Sequence, residues 1–303
     1  MSTFNLPPST GRGLPPDEDP ALFARSLALL GAAMPGFLQR PPGAAESPRE
    51  SLELGAPAPP DPTGAAPVSM EVGSAARGAT VAPPWRTLHF IWVGDESKCP
   101  HHCIQSWREK NPGWSFRLWR NEEYRAESWR LKSQMEEMWP TQLCGVADMM
   151  RYEILYRHGG FFIDADSICL RPLDDWLFQH DSFACWENER LRPGLIANGY
   201  MFFRHPGDEL LRVMIEALET QRGIGQKQAW VTCGPNLLTM AWKKLPRHPM
   251  TVLPSHYFIP EHYEGLRYAG DGPVYAKQLW ASTKGYDTVF ELSSPEDDNS
   301  MRS

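Results

Sequence analysis

From Trp85 onward, short apolar runs alternate with longer stretches whose apolar positions recur at helical spacing. The apolar runs have the length and composition of buried strands, and several of the longer stretches end at Gly or Pro, as helices do. Strand, helix, strand, helix, strand in this order indicates an α/β sheet with crossover connections. The predicted strands are residues 87–93, 115–119, 161–163, 182–187 and 200–203, and the predicted helices are residues 103–110, 142–158, 208–221 and 235–244.

The first 83 residues differ in character from the rest of the chain. They are rich in Pro, Ala, Gly and Ser, whereas all twelve tryptophans lie at or beyond Trp85. A segment so poor in large side chains cannot offset its ordering entropy by burial, so residues 1–83 are predicted to be mostly disordered. Residues 19–38 are an exception, because their apolar positions fit a short amphipathic helix that either docks on a partner or frays without one. The predicted organisation is completed by one folded domain at 84–292 and a loose polar tail at 293–303.

Charge and composition narrow the range of partners. The formal net charge is -7 and the chain has no long basic run, which argues against nucleic acid as the principal partner. No run of about eighteen apolar residues predicts a transmembrane segment, and the start of the chain lacks the layout of a secretory signal. Six scattered cysteines fit reduced thiols better than a disulfide framework. The default location is therefore cytoplasmic, with an exported effector or an organellar or Golgi protein as alternatives.

Two carboxylates follow the apolar run at 161–163. In a strand, residues i and i+2 point to the same side, so Asp164 and Asp166 can face one cation together if the extended geometry persists. Oxygen ligands of this kind suit Mg²⁺ or Mn²⁺, and such a cation usually holds a diphosphate. A rival zinc site at 99–103 is disfavoured, because four ligands within five residues cannot easily surround one ion. The alternative there is the N-terminal end of a helix.

The predicted helix at 142–158 carries a second pair of charges. Asp148 and Arg151 are three residues apart, so their side chains share one face and contact either a common ligand or each other. Their position one helix before the predicted metal site favours the ligand interpretation.

These features, in this order, resemble glycosyltransferase family 32. That family of DXD sugar transferases includes initiating α-1,6-mannosyltransferases and inositol-phosphoceramide mannosyltransferases, and it is distantly similar to the glucosyltransferase domain of clostridial toxins. The resemblance covers about residues 85–287 and is strongest over 147–175. It rests on residues 88–94 (LHFIWVG), 106–112 (SWREKNP), 118–119 (LW) and 147–166 (ADMMRYEILYRHGGFFIDAD).

The resemblance implies a role for each of these residues. Trp92 would stack on the nucleobase of a nucleotide sugar. Asp148 and Arg151 would hold hydroxyls of the donor sugar, with Arg151 also near the phosphate. Asp164 would contact ribose or sugar hydroxyls and partly the metal, and Asp166 would bind Mn²⁺ or Mg²⁺ directly.

Three segments further along the chain extend the resemblance. Residues 198–200 resemble an Asn-Gly-aromatic segment beside the donor sugar, which makes Asn198 a candidate, with ordinary loop capping as its alternative. Residues 232–235 resemble a Thr-Gly-Pro element. Residues 275–280 resemble a segment that usually reads Tyr-Ala-x-His-His-Trp, which implies a place for Trp280 in donor binding.

Both histidines of that last segment are replaced in this chain. Gln278 and Leu279 stand in their places. An amide oxygen can ligate a hard cation but Leu cannot, so the third metal ligand is left open. His256 and His262 are either substitutes for it or ordinary loop residues.

The implied fold is the GT-A nucleotide-diphospho-sugar transferase fold, a mixed, largely parallel sheet flanked by helices, with the donor beyond the carboxyl ends of the strands. The implied function is a metal-dependent, retaining transfer of a hexose from GDP-mannose or a UDP-hexose to a hydroxyl on a glycan, a glycolipid or a protein. A non-catalytic nucleotide-sugar binder is one alternative, because the two histidines are lost. A phosphatase of the haloacid dehalogenase type is another, since it also places Asp-x-Asp after an apolar strand.

Overall fold

A computed structural model of the chain describes residues 83–268 and 270–284. The helix predicted at 19–38 and the tail predicted at 293–303 lie outside these residues. None of the helices in the described parts has the length and apolar character needed to cross a membrane.

The secondary structure follows the predicted pattern and adds several short elements to it. Among the described residues, the strands are β1 (Thr87–Ile91), β2 (Ser115–Trp119), β3 (Gly160–Ile163), β4 (Ser167–Cys169), β5 (Ser182–Asn188), β6 (Arg192–Phe203), β7 (Thr251–Leu253) and β8 (Ala276–Gln278). The α-helices are α1 (His101–Lys110), α2 (Asn121–Ala126), α3 (Lys132–Met138), α4 (Leu143–His158), α5 (Glu209–Glu219), α6 (Ala229–Thr232), α7 (Pro235–Lys244) and α8 (Ala281–Lys284). Every predicted strand and helix from 87 to 244 corresponds to one of these elements, and the start of α1 at His101 confirms the helical alternative to a zinc site at 99–103.

The main sheet has the strand order β2-β1-β3-β6-β5-β7. β1 pairs in parallel with β2 and β3, and β5 pairs in parallel with β7. β6 runs antiparallel to both β3 and β5, and β4 forms a separate antiparallel pair with β8. The predicted α/β architecture with a mixed, largely parallel sheet is therefore confirmed.

Both faces of the main sheet are buried. Along β6, Met201 and Phe203 belong to a core shared with α4, α5 and α7, whereas Tyr200 and Phe202 belong to a second core that includes Trp107 of α1. The alternation follows from the period of two along a strand. Because β1 and β3 are buried on both faces along nearly their whole length, they read as almost continuous apolar runs in the sequence.

Two glycines let the chain pass from α4 directly into β3. Gly159 and Gly160 have φ values of 65° and 97°, which other residues rarely adopt. A Cβ on Gly160 would lie 2.8 Å from the Nε2 atom of His89. The turn thus needs glycine for its backbone conformation and for its contact with β1.

His89 joins this turn to β2 through a buried imidazole. Its Nδ1 atom accepts a hydrogen bond from the indole of Trp119 at 3.2 Å, so Nε2 carries the proton and donates to the carbonyl of Gly159 at 3.1 Å. Burial, and then the charge of His158, lowers the pKa of His89 from 6.5 to about 3. The folded protein therefore keeps this ring neutral at any pH near neutrality.

The neutral His89 predicts a loss of stability in mild acid. Below pH 6.5 the unfolded chain binds a proton that the folded ring excludes, so the free energy of unfolding falls as the pH drops from 6.5 towards 3. We expect this residue to contribute a loss of about 2 kcal/mol between pH 7 and pH 5. Urea unfolding at both pH values should show a smaller loss in His89→Gln than in the unmodified chain. His101→Gln, which changes an exposed histidine on α1, should keep the full loss, and equal pH dependence in all three proteins would contradict the assignment.

Candidate active site

One cleft of about 470 Å³ opens at the carboxyl ends of β1 and β3, and we call it the cleft throughout. The residues to which the resemblance gave a role in donor or metal binding all line it. These residues are Trp92, Asp148, Arg151, Asp164, Asp166, Asn198 and Trp280. Side chains that lie up to 188 positions apart in the chain therefore converge on one cavity, of the size that small ligands occupy.

Arg151 lies at the base of the cleft between two carboxylates. Its guanidinium is 3.1 Å from Asp148 Oδ1 and 3.3 Å from Asp164 Oδ1, and it donates to the carbonyl of Asn198 at 2.6 Å. The side chain is 7% exposed and packs over the ring of Phe162. The sequence left open whether Asp148 and Arg151 contact a ligand or each other. They contact each other, and both also line the cleft.

Asn198 supports the same charge cluster from β6. Its amide nitrogen donates to Asp148 Oδ1 and to the hydroxyl of Tyr152, each at 2.9 Å. The loop-capping alternative for Asn198 is therefore wrong, because the residue lies inside a strand and its amide binds a helix side chain. Burial raises the pKa of Asp148 to about 6, although Arg151 and Asn198 act to lower it.

The two carboxylates of the Asp-x-Asp motif reach the cleft by a different geometry from the predicted one. β3 ends at Ile163 and the backbone turns at Ala165 and Asp166, so the extended conformation does not persist. The side chain of Asp164 is 29% exposed, and its carboxylate packs on Gly199, where an added Cβ would lie 2.3 Å from Oδ2. Asp164 and Asp166 therefore do not face the same side because they are i and i+2 of one strand, as predicted, but their side chains do line one cavity.

Asp166 is partly buried and is held by the segment around β8. Its Oδ1 atom accepts a hydrogen bond from the amide of Gln278 at 3.0 Å, and Oδ2 accepts one from the backbone of Ala281 at 2.7 Å. Burial, and next the charge of Asp164, raises the pKa of Asp166 to about 6. The site thus concentrates negative charge that the protein compensates only in part.

Both polar atoms of the Gln278 side-chain amide form hydrogen bonds in the site. The nitrogen donates to Asp166, and the oxygen accepts a hydrogen bond from the hydroxyl of Tyr200 at 2.6 Å. Leu279 is buried against Cys103 and Ala281. His256 and His262 are buried, and neither is part of the cleft lining.

A divalent cation fits the residues that are present. In the described parts of the chain, no three His, Cys, Asp or Glu side chains come together as a metal cage. Mg²⁺ and Mn²⁺ do not require such a cage, since one or two carboxylates with substrate phosphates and water complete their shell. Burial first, and then the charge of Asp164, raises the pKa of Asp166, and a positive charge beside these carboxylates would act in the opposite direction.

Two tryptophans border the cleft at opposite ends of the domain sequence. Trp92 directly follows β1, and its indole nitrogen donates to the carbonyl of Asp95 at 2.9 Å. Trp280 has a φ of 61°, an uncommon value for a bulky residue, and its indole nitrogen donates to the carbonyl of Glu261 at 2.9 Å. A backbone conformation of this kind persists only where its surroundings hold it, and such positions cluster at ligand sites.

The structure adds cleft residues that the sequence analysis missed. They include Glu187, Arg192 and Tyr263. Glu187 follows the apolar positions of the predicted strand at 182–187, so the rule that singled out Asp164, a carboxylate after a buried strand, applies to it too. Arg192 and Tyr263 carried no such signal, because one begins a strand and the other lies in a loop.

Comparisons with known proteins agree with the motifs. Residues 98–183 match the family described as "Glycosyltransferase sugar-binding region containing DXD motif". The chain is 27% identical over 212 residues to inositol phosphoceramide mannosyltransferase 3 of Schizosaccharomyces pombe, a match that covers 63% of this chain and 56% of that protein. It is 26% identical over 217 residues to inositol phosphoceramide mannosyltransferase 2 of the same species, covering 69% and 55%. The chain thus spans little more than half the length of these curated relatives.

Among solved structures, the protein is similar to the PaToxG glycosyltransferase. The TM-score is 0.42 at 14% identity, and the match covers 53% of this chain and 69% of that one. The predicted resemblance to DXD-containing sugar transferases is confirmed by the family and the curated matches, and glycosyltransferase is the class that they share.

The buried charge of Arg151 predicts a large stability effect. Arg151→Met leaves Asp148 and Asp164 facing each other without a cation, and we expect the free energy of unfolding at pH 7 to fall by about 3–5 kcal/mol. Arg130→Met is the matched control, because Arg130 forms an exposed ion pair with Glu219 at 2.8 Å and should cost under about 1 kcal/mol. Urea unfolding measures both, and equal losses would show that Arg151 does not hold the cluster together.

Proposed function

We propose that this chain, which carries the glycosyltransferase sugar-binding region with the DXD motif over residues 98–183, is a metal-dependent glycosyltransferase of the GT-A type. It transfers a hexose from a nucleotide sugar to a hydroxyl acceptor with retention of configuration. The observation that carries the proposal is the convergence of Asp148, Arg151, Asp164 and Asp166 on one cleft, with Trp92 at its border.

Each of these residues has a task that its position supports. Trp92 offers an aromatic face to the nucleobase. Asp148 accepts hydrogen bonds from hydroxyls of the donor sugar, and Arg151 donates to the sugar and the phosphate from a guanidinium that Asp148 and Asp164 already orient. Because these groups are held before the donor enters, little ordering is required when it binds.

Asp164 and Asp166 are the groups that would hold Mn²⁺ or Mg²⁺. A cation there would neutralise the negative charge that develops on the departing nucleoside diphosphate. Asp166 must lose its proton to serve as a ligand, and its two hydrogen bonds, from Gln278 and Ala281, stabilise the ionised form. Gln278 has an amide oxygen beside this pair, but in the structure that oxygen accepts from Tyr200.

GDP-mannose is the first donor to test, and UDP-galactose, UDP-N-acetylglucosamine and UDP-glucose follow. The curated relatives carry mannosyltransferase in their names, which favours mannose. Trp92 by itself does not choose between guanine and uracil, because every base has an aromatic face. The acceptor is a glycan, a glycolipid or a protein, and the relatives' names favour a glycolipid. The cytoplasmic default and its exported and organellar alternatives stay predictions.

A non-catalytic nucleotide-sugar binder is the second candidate. The observation in its favour is the environment of Gln278, whose amide nitrogen rather than its oxygen faces Asp166. The phosphatase alternative has no such observation in its favour.

A screen of the four nucleotide sugars for Mn²⁺-dependent hydrolysis tests the proposal. We expect one donor to release nucleoside diphosphate, and Asp164→Asn and Asp166→Asn to lower that rate by about a hundredfold or more, because a metal ion contributes several kcal/mol to such a step. Asp175→Asn is the control, since the side chain of Asp175 is 94% exposed. Full rate in either of the first two variants would refute the metal assignment. Tight binding of nucleoside diphosphate and Mn²⁺ without hydrolysis of any donor would favour the binder.

Trp92 gives a separate test of nucleotide binding. Trp92→Ala should weaken binding of the nucleoside diphosphate by about 1–3 kcal/mol, whereas Trp92→Phe keeps an aromatic face and should lose less. Trp176→Ala serves as the control, because Trp176 is among the exposed large side chains and lies outside the cleft. Isothermal titration in the presence of Mn²⁺ measures all three. An unchanged affinity in Trp92→Ala would show that this ring does not contact the base.

A further inference from the structure

The cleft has a second polar wall that the proposed donor site does not use. Glu187, Arg192 and Tyr263 line it. Glu187 lies near the carboxyl end of β5, and Arg192 begins β6, so both belong to the β5–β6 hairpin. The residues of this wall come from other segments of the chain than the Asp-x-Asp turn, but they line the same cleft.

Strand register places Glu187 at a defined distance from the Asp-x-Asp motif. The backbone of Asp164 donates to the carbonyl of Gly199, and Trp186 pairs with Ile196, three residues before Gly199 in β6. At roughly 3.3 Å per residue, Trp186 lies about 10 Å beyond the level of Asp164, and Glu187 directly follows Trp186. That interval leaves room for a donor sugar at the carboxylates and for a second ligand beside the hairpin.

Glu187 and Asp164 also act on a common buried group. Burial first, and then the charges of Glu189, Glu187 and Asp164, raises the pKa of the Cys185 thiol well above its ordinary value. Both carboxylates therefore lie close enough to one thiol of β5 to influence its ionisation.

His262 packs against the carboxylate of Glu187. Its Nδ1 atom accepts from the backbone of Glu264 at 3.4 Å, so the proton is on Nε2, and Nε2 lies 3.4 Å from Glu187 Oε1 without the geometry of a hydrogen bond. His262 is fully buried, whereas the side chain of Glu187 is 13% exposed. A buried ring packed against a carboxylate that lines a cavity limits the directions in which that carboxylate can turn.

The same loop brings aromatic rings to this wall. The ring of Tyr263 lies 4.1 Å from that of His262 and 5.5 Å from that of Trp280, centroid to centroid. The hydroxyl of Tyr263 accepts a hydrogen bond from Arg192 at 2.7 Å. Aromatic faces beside fixed polar groups suit a ligand that has an apolar ring face and a hydroxylated edge.

We infer that Glu187 is an acceptor-binding residue, whose carboxylate accepts hydrogen bonds from neighbouring hydroxyls of a cyclic polyol, either a sugar or a cyclitol. His262 is its positioning residue. The inference rests on the proposed function and adds the class of acceptor to it. A carboxylate with several acceptor positions binds adjacent hydroxyls better than a single alcohol, and hydrogen bonds to a charged group are among the stronger ones.

The test compares transfer with hydrolysis in the full chain. With the active donor and Mn²⁺, methyl α-D-mannopyranoside and myo-inositol serve as probe acceptors, and 1-propanol serves as a single alcohol. We expect transfer to at least one cyclic polyol in preference to 1-propanol. In Glu187→Gln the KM for that polyol should rise at least about tenfold, a factor that corresponds to about 1.4 kcal/mol, and the ratio of transfer to hydrolysis should fall with it. His262→Gln should show a smaller change in the same direction.

Control variants separate this role from a structural one. Glu122→Gln makes the same chemical change on an exposed residue of α2, outside the cleft, and should leave the acceptor KM as it is. Glu187→Asp keeps the charge and should recover part of the acceptor affinity that Glu187→Gln loses. Isothermal titration with nucleoside diphosphate and Mn²⁺ reports whether the donor site of each variant is intact.

The failures of the two proposals are distinguishable. If the unmodified chain hydrolyses no donor, the proposed function fails and the acceptor site fails with it. If it hydrolyses donor but transfers as well to 1-propanol as to the cyclic polyols, only the acceptor class is overturned. If Glu187→Gln keeps the acceptor KM, or loses transfer and hydrolysis in equal proportion, Glu187 does not bind the acceptor.

Discussion

The buried guanidinium of Arg151 is the interaction on which the site depends. It neutralises Asp148 within its own helix and Asp164 at the end of β3, and it binds the backbone of β6 at Asn198. Three elements of the fold thus meet at one positive charge. Without this cation, burial would favour the protonated form of Asp148 still more, and the cleft would lose part of the negative charge that would suit a cation or sugar hydroxyls.

Around this charge, the structure holds the remaining groups by contacts from distant parts of the chain. Asp166 receives both of its side-chain hydrogen bonds from the segment at 278–281, and Asp164 packs on Gly199 of β6. The strained backbone of Trp280 lies in that same segment, next to the donor to Asp166. The site is therefore assembled by the last elements of the described chain, and it is complete only when β8 has paired with β4.

Much of the fold could be predicted, because the sequence signals for strands and for the ends of helices are local. Continuous apolar runs mark strands that are buried on two faces, and Gly159 and Gly160 mark the end of α4. Short elements such as β7 and β8 escaped prediction, because three-residue strands form through pairing with distant partners and carry no period of their own. The turn at Asp166 escaped for a related reason, since its conformation is set by hydrogen bonds from the segment at 278–281.

The sequence by itself determined the chemistry of this protein and the order of its elements. An apolar strand that ends in two carboxylates, directly after a helix that carries an Asp and an Arg three residues apart, predicts a site for a cation and a phosphate-bearing ligand without any tertiary information. Only the tertiary structure decided which other groups share the cavity. Glu187, Arg192 and Tyr263 lie outside the motif in the chain, and strand register and loop packing bring them to the same cavity. The local pattern of hydrophobic residues predicts which side chains of a segment are buried, whereas the packing of the whole sheet decides which other segments those side chains contact.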